Sequence, residues 1–155
     1  MKIGVISDTH ARHCSQLPQN LLKALEKVDL IVHAGDIVTM DVIRGLETVA
    51  PLKGVCGNMD LPEVRMAFPE KLVLELEGRK IAVMHGSGGP AGLENLVTQA
   101  FPEVDIIIFG HSPCRRLPRR GRGDDNSTFQ PPFKPSAGAD WLIEFILNKV
   151  YCMRA

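Results

Sequence analysis

Five short segments of this chain carry the residues with chemistry in them, and each one follows an apolar run. Ser7-Asp8-Thr9-His10 follows Ile3 to Ile6, and His33-Ala34-Gly35-Asp36 follows Leu30 to Val32. Gly57-Asn58-Met59-Asp60 follows Leu52 to Cys56, His85-Gly86 follows Ile81 to Met84, and Gly110-His111 follows Ile106 to Phe109. Asp8, His10, Asp36, Asn58, His85 and His111 together offer two carboxylates, three imidazoles and an amide oxygen. That set contains no thiolate and suits Mn²⁺, Fe, Zn²⁺ or Ni²⁺ better than Ca²⁺. Six donors exceed the needs of one tetrahedral ion, so two ions sharing one carboxylate is the economical reading. Such a pair, about 3.5–4 Å apart, can activate water and neutralise charge on a phosphoryl group. Taken singly, each segment has an ordinary reading. Asp and Thr cap helices, Asn suits turns, and a lone histidine is often a satisfied core residue. The order of all five, each at the end of an apolar run, gives them joint meaning.

The elements that must position these residues alternate. Ile3, Val5 and Ile6 predict a strand, and Leu21, Leu22, Leu25 and Val28 recur at helical spacing. Leu30 to Val32 predicts a second strand. Val42, Leu46 and Val49 predict a second helix with Thr39 as its N-cap. Leu52 to Cys56 predicts a third strand, and Leu72–Leu76 with Ile81–Met84 predicts a hairpin around Glu77-Gly78-Arg79. Leu93, Leu96, Val97 and Ala100 predict a third helix after the turn Gly88-Gly89-Pro90, and Ile106 to Phe109 a last clear strand. Continuous apolar strands between helices imply sheets buried on both faces. In open α/β sheets ligands bind where strands end at their carboxyl termini, so the six candidates are expected on one rim. Residues 113–140 show no period, and Trp141 to Val150 fits either a helix or a strand.

The chain has 155 residues, enough for one domain with a core. Lys plus Arg total 18 and Asp plus Glu total 18, so no global charge draws it to nucleic acid or membrane. The two parts differ, however: residues 1–110 carry 10 basic and 14 acidic side chains, residues 111–155 carry 8 and 4. Five of the 11 prolines fall between 113 and 135, marking a composition boundary beside His111. Cys14, Cys56, Cys114 and Cys152 form no C-x-x-C pair and read as reduced thiols of a cytoplasmic protein. The strand beginning almost at Met1 leaves no room for a leader, and no apolar run approaches the ~20 residues that span a bilayer.

The ordered motifs D-x-H, G-D, G-N, H-G and G-H, as they stand at Asp8–His10, Gly35-Asp36, Gly57-Asn58, His85-Gly86 and Gly110-His111, resemble the calcineurin-like metallophosphoesterases. The likeness is greatest to their short single-domain phosphodiesterase branch and covers residues 1–112. The resemblance implies a two-layer α/β sandwich, mixed sheets flanked by helices, in a single domain spanning 1–155. It implies that Asp8 and His10 bind one divalent ion, that Asp36 bridges, and that Asn58, His85 and His111 bind a second. The implied nucleophile is a metal-bound hydroxide rather than a side chain. Mn is the expected metal, with Ni, Zn, Fe and Mg as alternatives. The implied substrate is a small phosphoester, with nucleic acid not favoured, no membrane partner, and a homo-oligomer left open.

The pattern breaks after His111. The family's last motif is G-H-x-H, whereas Pro113 stands here and offers no side-chain lone pair. Met59 and Ser87 stand where relatives often have histidines. The text from 113 to 155 departs altogether. Reading one base forward turns the Pro113-Cys114 codons into a histidine codon if the third base of the proline codon is A. Residues 113–155 are therefore read as divergent, through a frameshift or as a genuine basic tail, and no packed strand is expected there. Two rivals follow. One is a catalytically weak protein-binding scaffold of the same fold, resembling a retromer subunit. The other is a nuclease-like enzyme using the arginines from Arg115 to Arg122.

Overall fold

The computed structural model describes residues 1–86, 99–101 and 103–111, and the backbone of two strands at 142–145 and 151–154. Apolar runs become strands in the order expected. β1 (Lys2–Ile6), β2 (Leu30–His33) and β3 (Leu52–Gly54) alternate with α1 (Gln19–Leu25) and α2 (Met40–Glu47). α3 (Pro62–Ala67), the hairpin β4 (Lys71–Leu76) and β5 (Arg79–Met84), and β6 (Ile106–Phe109) follow. β7 (Leu142–Phe145) and β8 (Tyr151–Arg154) close the set.

The strands form two four-stranded sheets. The first, ordered β3-β2-β1-β7, is parallel throughout, with Ile3 opposite Leu30 and Ile143. The second, ordered β4-β5-β6-β8, is mixed: β5 and β6 are parallel, and β4 and β8 run antiparallel to their neighbours. Successive side chains on a strand point to opposite faces, and the core divides accordingly. Ile3, Val5, Leu30 and Val32 from the first sheet meet Ile81, Val83, Ile106 and Ile108 from the second. Ile6 and Ile31 point the other way, against Leu21, Leu25, Val42, Ile43 and Leu46 of α1 and α2. Ala82, Met84, Ile107 and Phe109 bury the second sheet's outer face against Phe101. Burial on both faces is why these strands read as continuous apolar runs. The architecture is the expected α/β sandwich of mixed sheets flanked by helices.

Several details differ from the sequence reading. β3 stops at Gly54 because residues 55–60 turn into the rim. α3 went unforeseen: its six residues are too few to show a helical period, although Pro62 at its first turn is a start signal. Thr39 holds the N-cap position of α2 but makes no cap bond, and its hydroxyl donates to the Arg12 carbonyl at 2.8 Å instead. The hairpin turn is two residues, Glu77 and Gly78, with φ of 49° and 75°, the geometry that matches strand twist. The largest correction concerns the tail. Residues 142–145, left between helix and strand, form a strand that extends the first sheet beside β1, and 151–154 extend the second beside β6. Pairing with β1 and with β6 decided in favour of strand there, where the local sequence alone was ambiguous. The turn at 88–90, most of the helix predicted around Leu93–Ala100 and the arginine-rich stretch lie outside the described residues.

Leu46 is fully buried between α2 and the first sheet. Leu46→Ala should lower stability by about 3 kcal/mol through lost burial and a residual cavity, read as a shift in the urea unfolding midpoint.

Candidate metal centre

The ends of β1, β2 and β6 deliver their polar residues through a sharp change of backbone direction. Asp8, His10, Asp36 and His111 have φ of 53°, 47°, 57° and 71°. Asp and His tolerate this left-handed region better than most residues, yet each such position still costs on the order of 1–3 kcal/mol and clusters at functional sites. The loops after β1 and β2 are tied together, Asp8 N–H to the Gly35 carbonyl at 3.0 Å and His10 N–H to the Asp36 carbonyl at 3.2 Å.

Asp36 lies at the middle and is buried. Its Oδ1 accepts the Met59 N–H at 2.8 Å. Its Oδ2 is 3.2 Å from His85 Nε2 and 3.8 Å from His10 Nε2. On one side, Asp36, His85 and His111 present ligand atoms within 4.8 Å of one another, with His111 Nδ1 3.3 Å from His85 Nε2. On the other side, Asp8, His10 and Asp36 do the same, with His10 Nε2 3.6 Å from Asp8 Oδ1. Five of the six candidates thus share one cluster with Asp36 common to both halves. Asn58 is exposed beside it, joined through its neighbour Met59.

The orientation of the donors is fixed by groups around them. His85 Nδ1 is 2.7 Å from the Ala34 carbonyl. A carbonyl only accepts, so Nδ1 carries the proton and the opposite nitrogen, Nε2, faces Asp36. Asp8 Oδ2 accepts from the Ser7 hydroxyl at 2.7 Å and the His111 N–H at 3.2 Å, which leaves Oδ1 toward His10. Burial works against charge on Asp36, but the His85 hydrogen bond, the Met59 N–H and the neighbouring imidazoles outweigh it and hold the carboxyl below its usual range. Burial likewise opposes charge on His85, yet the Asp36 hydrogen bond and the Ala34 carbonyl hold that imidazole above its usual value. Carboxylate and imidazole lone pairs converging at these distances are a chemical fit for divalent cations.

Residues not singled out from sequence hold the rim together. Asp60, quoted in its segment without a role, accepts the Val38 N–H at 2.6 Å and the Gly57 N–H at 2.7 Å, clamping the β2 loop to the β3 loop. Arg65 of α3 donates to the Asp60 and Asn58 carbonyls at 2.9 and 2.6 Å. The glycines serve close approach. A Cβ on Gly57 would lie 2.2 Å from Asp36 Oδ1 and 2.4 Å from its backbone nitrogen, and one on Gly35 would lie 2.5 Å from His85 Nδ1. His33, the last residue of β2, is fully buried and also reaches the rim: its Nε2 is 3.2 Å from the Thr9 hydroxyl, which lies 3.4 Å from the Asp36 carbonyl. His33 Nδ1 has no partner among the described residues. His13 is exposed beside Asp41, and Cys14 is half-buried against α2.

A family profile for the calcineurin-like phosphoesterase superfamily domain matches residues 1–121, and the chain belongs to that family. A probable metallophosphoesterase of Methanothermobacter thermautotrophicus is 36% identical over 115 residues, covering 72% of this chain and 66% of that protein, just short of two thirds. Phosphodiesterase MJ0936 of Methanocaldococcus jannaschii is 28% identical over 129 residues, covering 72% of this chain and 73% of its own. Among solved structures, protein TM1076 of Thermotoga maritima superposes with a TM-score of 0.58 at 30% identity, over 93% of this chain and 84% of that one. Vps29 of Chaetomium thermophilum gives a TM-score of 0.58 at 18% identity, over 72% and 61%, a likeness of fold alone.

Two predictions follow from the packing around the rim. Gly57→Ala should weaken divalent-cation binding by at least about tenfold, because Asp36 must move to admit the methyl group, read by titration calorimetry. Burial first, then the nearby His85 imidazole, pushes His33 down to about 3 from 6.5. Above pH 6.5 the ring is neutral whether folded or unfolded, and stability is full. Between about 6.5 and 3 only the unfolded chain gains the proton, so stability falls with pH, by at most roughly 1.4 kcal/mol per unit. His33→Asn should flatten that acid limb in urea unfolding measured across pH.

Proposed function

We propose that this chain is a cytoplasmic metal-dependent phosphodiesterase acting on a small phosphoester. The observation that carries the reading is Asp36, one buried carboxylate oxygen within 3.8 Å of imidazoles from both halves of the cluster. Asp8 and His10 would hold one ion, His85, His111 and Asn58 a second, and Asp36 would be shared. Two divalent ions, Mn²⁺ foremost, supply an activated water and offset charge on the phosphoryl group when bound.

The chain's own residues do the positioning. Ala34 fixes the ring of His85, Ser7 and the His111 N–H fix Asp8, and the Met59 N–H fixes Asp36. Preset orientation of this kind spares reorganisation when substrate arrives. Membership of the family supports phosphoester hydrolysis, and the likeness to MJ0936, itself called a phosphodiesterase, supports a diester. The reading treats 1–155 as one domain whose sequence diverges after 112. Pro113 removes one expected donor from the Asp8 and His10 half, so that half should hold its ion less well.

Mn²⁺ should stimulate hydrolysis of bis-p-nitrophenyl phosphate, and Asp36→Asn or His85→Ala should lower the rate by about a hundredfold or more. Full activity in Asp36→Asn would overturn the mechanism. Pro113→His should raise both metal content per chain and turnover, and equal values in the two chains would defeat the missing-donor argument. A folded chain that binds no Mn²⁺ and turns over no diester would instead favour the binding-scaffold alternative.

A further inference from the structure

The open edge of the second sheet is written in a self-complementary way. β4 reads Lys71-Leu72-Val73-Leu74-Glu75-Leu76 and, among the described residues, has a neighbour, β5, on one side only. Leu72, Leu74 and Leu76 pack toward the core between the sheets, while Lys71, Val73 and Glu75 face outward, Val73 being 49% exposed.

The same alternation fixes where the backbone groups point. The two-residue turn makes Leu76 and Arg79 a hydrogen-bonded pair, and hydrogen-bonded and non-bonded pairs then alternate along the hairpin. Lys80, opposite Glu75, confirms the phase. Its N–H donates to Asp105 Oδ2 and its carbonyl accepts from the Asp105 N–H, both away from β4. The N–H and C=O of Lys71, Val73 and Glu75 therefore face the open edge, where no described residue meets them. An edge of this length is a template for another strand.

We infer that β4 pairs antiparallel with β4 of a second copy about a two-fold axis at Val73. In that register Lys71 lies opposite Glu75 of the other copy, Val73 opposite Val73, and Leu72 opposite Leu74. Every outward-facing backbone pair then meets another, exchanging two N–H···O bonds each. Both edge charges are neutralised within the strand, and apolar side chains meet on both faces. The contact is isologous, so it closes at two copies and uses both β4 edges. Edge lysines ordinarily discourage strand pairing. Here Lys71 discourages other registers and favours this one. Leu72 also lines the apolar groove between β3 and the start of β4, with Leu52, Gly54 and Phe68. Leu74 of the second copy, lying beside Leu72, would cover that end of it. A single strand edge buries less than the roughly 1,600 Å² of a standard interface, so the association is a reversible, concentration-dependent dimerisation. It involves none of the proposed metal ligands.

Sedimentation equilibrium of the full chain tests this. The wild type should show a monomer–dimer equilibrium. Lys71→Glu alone, or Glu75→Lys alone, opposes like charges twice across the axis and should weaken the dimer by about tenfold or more. The double variant K71E/E75K restores opposite charges and should recover the wild-type dissociation constant. Val73→Lys, at an exposed position that the fold tolerates, should leave monomer. Circular dichroism and melting confirm that each variant is folded, and unchanged Mn²⁺-dependent turnover separates this surface from the metal centre. A wild type that stays monomeric at all soluble concentrations overturns the proposal. So does a dimer indifferent to the single charge reversals, or one not restored in the double variant.

Discussion

Asp36 has to be buried, charged and within 4 Å of two imidazoles at once, and much of the rim is arranged to make that tolerable. A carboxylate taken out of water is costly unless hydrogen bonds and opposite charge compensate. Here the Met59 N–H, His85 and His10 supply the compensation. His85 and the Asp36 carboxylate lie in the space that a Cβ at 35 and at 57 would fill, so glycine at both positions is what lets them sit there. The left-handed backbone at Asp8, His10, Asp36 and His111 is the strain accepted so that loops from distant strands can aim inward.

The sheets carry that strain. Strands buried on both faces are stiff platforms, and their ends move little. Asp60 ties the loop after β2 to the loop after β3, and Arg65 braces the β3 loop, so the segments carrying Asp36 and Asn58 are held by one clamp. His33 links a third loop to it from below. A neutral imidazole suits that position because burial expels its proton and Thr9 satisfies one of its nitrogens. The second sheet ends at β4, which has no neighbour on its outer side among the described residues.

The sequence itself determined the alternation of strands and helices, because a strand buried on both faces must be apolar throughout, and Ile3–Ile6, Leu30–Val32 and Ile106–Phe109 are. It determined which residue types stand at the strand ends, and hence a divalent-cation chemistry, because ligand type follows from side-chain chemistry alone. It also supplied the hairpin, since the turn residue Gly78 stands between the alternating Leu72–Leu76 and the apolar run Ile81–Met84.

Tertiary structure decided the rest. That Asp36 lies between both halves, as the resemblance implied, depends on through-space distances to residues 26 to 75 positions away, which no local pattern encodes. Asp60 and Thr9 read as turn residues until their partners are in place, since a clamp is defined by what it holds. α3 was too short for a period to appear. The strands at 142–145 and 151–154 were undecided or unforeseen because a strand is stabilised by its neighbours, and β1 and β6 each had an edge to offer. Long-range pairing, not composition, settled their state.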